Sequence, residues 1–139
     1  MIGLETLLRI AVGAQIAPTA ASFCLVQILG LKKDLAKLPL LAREVFQVHA
    51  WFIGITCAIF AAMTWRFAPE MAAGSNEAAR WLAGSIGLFW GVRAILQAAY
   101  YSPSHWRGNR RRTLAHLLCL GGYGGLSLVY LHAAWGLFG

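Results

Sequence analysis

The sequence is poor in charge, and poorest in acids. Only 12% of its 139 residues are charged, and Asp and Glu supply five of them against twelve Lys and Arg, where a soluble domain of this size carries about 25%. The acids are Glu5, Asp34, Glu44, Glu70 and Glu77. None lies inside a long apolar run, so the chain lacks the intramembrane carboxylate on which proton-coupled carriers rely. General acid–base chemistry is left with Glu44 at best. Cysteine is scarce as well. Cys24, Cys57 and Cys119 each sit in an apolar run with no CxxC spacing; an odd, scattered set argues against a disulfide framework and reads as small buried hydrophobes. No HxH or HxxxH spacing occurs, and a zinc or copper site needs three or four converging ligands, so no such ligand set is expected. Nor is there a G-x-S-x-G elbow or another nucleophile–base arrangement, which counts against covalent catalysis.

What the chain has in quantity is long uncharged apolar runs. It is 59% hydrophobic with a mean hydropathy of +0.61, the composition of an integral membrane protein. Four runs are long enough to span a bilayer: residues 10–31, 45–65, 81–101 and 113–138. The first holds 22 uncharged residues, about 33 Å as a helix. It is the most polar of the four, with Gln15, Thr19, Ser22 and Gln27, and Pro18 is expected to kink it. It is too long for the apolar region of a cleaved signal peptide. The segment Lys32–Glu44 has an apolar side, Leu35, Leu38, Leu40 and Leu41, and is expected to lie at the interface, with Pro39 placed to begin the next helix. Arg66–Arg80 reads as a loop on its Pro69, Gly74, Ser75 and Asn76. The expected fold is therefore an all-α, antiparallel bundle of four transmembrane helices with short loops, a single domain over residues 1–139.

The net charge of +7 would suggest nucleic acid in a soluble chain. Here the basic residues fall between apolar runs and set topology, so no nucleic-acid partner is expected. Lys32, Lys33, Lys37 and Arg43 follow the first run, and Arg107, Arg110, Arg111 and Arg112 precede the fourth; the opposite side has Arg9, Arg66 and Arg80. Eight against three puts the first pair of loops in the cytoplasm and both termini outside. With no targeting segment in the chain, a bacterial inner membrane is expected. Lys32, Lys33, Arg107, Arg110, Arg111 and Arg112 are the expected contacts to lipid headgroups. Trp51, Trp65, Trp81, Trp106 and Trp135 fall near run ends, where aromatic belts form.

One cation stands inside a run. Arg93 shares a helical face with Trp90, Gln97 and Tyr101, and a guanidinium at that depth needs a partner, a cavity or water. On the topology above, Glu44, Gln47 and His49 begin the second span at the same level, and His116 and Tyr123 lie on one face of the fourth. Glu44 is the expected partner of Arg93. The cluster Glu44, Gln47, His49, Arg93, Gln97, His116 and Tyr123 reads either as a satisfied polar knot or as a site for an anionic or carbonyl-bearing ligand such as a lipid headgroup or quinone. His49 and His116, on different helices, are the pair that could hold a b-type haem; His132 lies toward the other face and His105 in a basic loop. Glycines at 84, 87 and 91, and at 121 and 125, are spaced for close helix packing. Two functions follow as expectations. One is a non-catalytic subunit of a larger membrane complex or a homo-oligomer. The other is a membrane protein that holds haem, quinone or lipid between its helices.

Overall fold

The computed structural model describes residues 3–28, 30–102, 108 and 110–137. Among these residues the chain is 87% helical with no strands. The order is α1 (Leu4–Phe23), α2 (Leu25–Ile28), α3 (Lys32–Leu35), α4 (Leu40–Ala73), α5 (Glu77–Ala99) and α6 (Arg110–Trp135). Three of the described helices, α4, α5 and α6, are long and apolar enough to cross a membrane. Burial reaches only 17% of the apolar stretch of α4 and of α6, so most of their Leu, Ile, Phe and Trp side chains face outward. Phe52 is 67% exposed and Leu118 66%. Outward-facing apolar side chains over whole helices are tolerated in lipid and not in water, which marks an integral membrane protein.

Hydroxyls within these helices are satisfied locally. Thr19, Ser22, Thr56, Thr64 and Ser85 each donate to the carbonyl four residues back, at 2.7–2.9 Å. Lipid offers no partner, so this back-bonding lets an apolar helix carry a hydroxyl at small cost.

Helix boundaries depart from the apolar runs in three places. First, α1 starts at Leu4, ahead of residue 10. Arg9 pairs with Glu5 at 2.8 Å one turn away, and Glu5 lies in the first turn, where a carboxylate complements the helix dipole. Second, residues 10–31 are not one helix. α1 continues through Pro18 and stops at Phe23, where the Cys24 N–H is shared between Ala20 O and Ala21 O at 3.3 and 3.2 Å. α2 then ends with Leu31 N bonded to Val26 O and Gly30 N to Gln27 O, with Gly30 at φ +65°. That is a Schellman closure, and the left-handed residue it needs is the glycine. Third, the expected loop 66–80 shrinks to Gly74–Asn76. Ala68, Glu70, Met71, Ala72 and Ala73 are strong helix formers, so α4 runs on past the apolar stretch with Pro69 inside it. Gly74, at φ +63°, ends it with its N–H on Glu70 O. The Asn76 side chain then accepts from Ala79 N at 3.2 Å and caps α5. Pro39 does stand directly before α4.

The chain divides into two compact units, Met1–Ala11 with Phe67–Gly139, and Val12–Arg66. In the first, α5 and α6 run antiparallel and in close contact. A Cβ on Gly84 would meet Ala134 and Trp135, one on Gly87 would meet Leu131, and one on Gly91 would meet Ser127. Ser127 Oγ donates to Gly87 O at 2.9 Å in the buried seam, and Arg80 Nε donates to Ala134 O at 3.0 Å where α5 begins. In the second unit α1 meets α4 at Gly54. A Cβ there would lie 3.0 Å from the Phe23 ring and 3.2 Å from Ser22 Cβ.

Candidate functional site

The polar residues expected to gather fall in both units, and each unit is described by itself. In the first unit, Trp90, Arg93 and Gln97 occupy one face of α5 and meet α6. Trp90, only 2% exposed, stacks on Tyr123 with ring centroids 5.4 Å apart and planes at 17°. The Arg93 guanidinium carbon lies 4.7 Å from the Tyr123 ring centre and 5.9 Å from that of Tyr101. A delocalised cation over aromatic faces is stabilised by the ring quadrupole, more so where water is scarce. One turn on, buried Gln97 and His116 meet at 2.9 Å. With the amide nitrogen as donor, His116 Nδ1 accepts and the ring proton sits on Nε2. Arg93, Gln97, His116 and Tyr123 are thus brought together, each engaged by another member of the group or by Tyr101.

In the second unit, Glu44, Gln47 and His49 occupy the first turns of α4 and are exposed. His49 Nδ1 donates to Val45 O of its own helix at 2.9 Å. Glu44 has no ion-pair or hydrogen-bond partner among the described residues of its unit. Since Glu44 and Arg93, and likewise His49 and His116, belong to different units, neither the ion pair nor the pair of axial ligands is assembled inside one unit. Among the described residues no three His, Cys, Asp or Glu side chains gather as a metal would require.

Among the expected headgroup residues, Lys32 and Lys33 are exposed on α3, and Arg110, Arg111 and Arg112 on the first turn of α6. Arg107, with His105 and Trp106, lies outside the described residues. The glycines divide. Gly84, Gly87 and Gly91 are packed against α6, whereas Gly121, Gly122, Gly124 and Gly125 have no described atom of a neighbouring element within 4 Å of where a Cβ would stand.

The second unit also contains a cavity of about 600 Å³ between the end of α1, α2, α3 and the start of α4. Only part of its lining stood out in the sequence. Arg43, Gln47, Ala50 and Trp51 line it from α4 at i, i+4, i+7 and i+8, the spacing of one helical face. That spacing is the signal for the α4 wall; nothing in sequence proximity joins it to Phe23 and Gln27 opposite. No protein-family model, no curated protein and no solved structure matches the chain.

Proposed function

We propose that the protein is a non-catalytic membrane subunit that associates with other transmembrane helices, in a larger complex or with copies of itself. In this reading it lies in a bacterial inner membrane as an antiparallel bundle of four spans, α1–α2 supplying the first, with both termini outside. The observation that carries the association is the glycine run of α6. Each glycine inside a helix costs about 1 kcal/mol relative to alanine. On α5 that cost is offset by close packing. On α6, Gly121, Gly122, Gly124 and Gly125 have no described packing partner, which fits a face reserved for a helix of another chain. The polar group around Arg93 supports a structural role for the hairpin, because its members answer one another. The bias of Lys and Arg toward the segments before α4 and before α6 supports the topology.

The test is Gly121→Leu combined with Gly125→Leu. In nanodiscs formed directly from membranes, the wild-type chain of 15.1 kDa is expected to run as a larger assembly and the double variant as a lone chain. A wild-type protein that emerges alone and monomeric from its native membrane would overturn the proposal. A cysteine placed at Ser75, in a background without the native cysteines, should label from the outer side.

A further inference from the structure

The cavity of the second unit has a divided lining. Its polar residues include Lys32, Arg43, Gln27 and Gln47, and none of these four side chains has a hydrogen-bond or ion-pair partner among the described residues. Two cations elsewhere in the chain are answered by acids, Arg9 of α1 by Glu5 at 2.8 Å and Lys37, in the turn after α3, by Asp34 at 3.4 Å. Among the described residues no acid lines the cavity; its remaining walls include Phe23, Val26, Leu35 and Trp51. At about 600 Å³ it falls within the usual range of small-molecule sites.

We infer that this cavity binds the phosphate headgroup and upper acyl chain of an acidic phospholipid. Lys32 and Arg43 meet the phosphate; Gln27 and Gln47 donate to its ester oxygens. Phe23, Val26 and Trp51 line the path of the chain. Three considerations select this occupant. Two unpaired cations with no carboxylate favour a net anion and disfavour a zwitterionic headgroup, whose own cation would find no partner. The apolar walls have no use for a free phosphate ion. The height also fits. From Arg43 to Trp51 is eight residues of α4, about 12 Å, while the polar zone of one leaflet is about 5–8 Å deep. A cavity of that height on a membrane-crossing helix covers the headgroup zone and the first part of the chains. The inference needs membrane embedding only and is independent of how the chain associates through α6.

The test is native mass spectrometry of the full-length, delipidated protein in detergent, titrated with phosphatidylglycerol or phosphatidylcholine. One phosphatidylglycerol per chain should be retained with about tenfold or greater preference. Lys32→Gln with Arg43→Gln should weaken it about tenfold to thirtyfold, from the loss of two interfacial charges. Arg9→Gln, at a cation outside the cavity that is paired with Glu5, should leave it unchanged. Lys32 and Arg43 are exposed and unpaired, so their loss should leave the melting profile intact. If the double variant fails to fold, Gln47→Trp serves instead, filling the cavity from an exposed position and lowering lipid retention. Equal retention of the two lipids by the wild type would overturn the inference. So would a folded Lys32/Arg43 variant that holds phosphatidylglycerol like the wild type. Displacement of the lipid by inorganic phosphate, independent of acyl-chain length, would reassign the site to a free phosphate and overturn it too.

Discussion

The α5–α6 hairpin and the segment from the end of α1 to the start of α4 draw on the same materials, glycines, glutamines, arginines and aromatic rings, and arrange them differently. In the hairpin, Gly87 and Gly91 let α6 approach until Leu131 and Ser127 fill the space, and the polar side chains carried by the seam find one another: Gln97 with His116, Arg93 with Tyr123. In the other segment Gly54 also admits a neighbour, the Phe23 ring. Beyond that point α1 gives way to α2, the walls separate, and Arg43, Gln47, Gln27 and Lys32 are left around a cavity without side-chain partners among the described residues. A helix that continues straight can keep its polar groups in register with a neighbour. One that breaks at Cys24 and turns at Gly30 does not keep Gln27 in register with the α4 side chains across from it.

The comparison is tested most severely at Trp90. It is almost wholly buried and stacks on Tyr123. Trp90→Ala should cost about 3–5 kcal/mol through the void it leaves, read as a large drop in the melting point in mild detergent by fluorescence-detected size-exclusion chromatography. An equally large loss for Lys32→Gln or Arg43→Gln would erase the distinction between the two regions.

The glycines give the next largest contrast. A Cβ on Gly87 would lie 2.7 Å from Leu131 Cδ2 and 3.1 Å from its backbone nitrogen, so the seam must open. Gly87→Ala should cost about 1–3 kcal/mol, despite alanine's better helix propensity. Gly121→Ala, with open space around it, should leave the stability of the isolated chain unchanged or raised by up to about 1 kcal/mol. Equal losses at 87 and 121, by the same thermal assay, would contradict the described packing.

Tyr123 separates ring from hydroxyl. Tyr123→Phe keeps the aromatic face under Arg93 and the stack on Trp90, and should retain most of the stability. Tyr123→Leu keeps bulk but loses both, and should cost about 1–2 kcal/mol. If phenylalanine is as damaging as leucine, the guanidinium is not held by the ring.

The membrane class, the positions of α4, α5 and α6, and the shared faces of α5 and α6 were legible in the sequence because a bilayer imposes long uncharged runs and 3.6-residue spacing places residues on faces. Helix ends were less legible. Hydropathy reports where a chain can sit in lipid, and residues 68–73 are helix formers too mixed in polarity to extend an apolar run. That Arg93 lies over Tyr123 depends on the register between α5 and α6. That register is fixed by Gly87 against Leu131 and Gly91 against Ser127, a matter of backbone approach. The cavity was the least legible, since it joins Phe23 and Gln47 across a break at Cys24 and a left-handed Gly30, neither of which an apolar pattern reveals.

The smallest effect is expected at Gln97, and it bears on what the hairpin's polar face is for. Interhelical hydrogen bonds in membranes contribute about 0.6 kcal/mol on average and reach about 1.7. Gln97→Leu should fall in that range, because leucine suits the surroundings while His116 Nδ1 loses its donor. His116→Leu should behave similarly, stranding the amide. The double variant removes both ends of this bond together, so its loss should be smaller than the sum of the two single losses. A coupling of about 0.6 kcal/mol in that cycle would mean the bond is made in the membrane and the face is closed by its own residues. Zero coupling would mean that Gln97 and His116 are occupied separately, and a ligand between α5 and α6 would become the better account of the polar residues there.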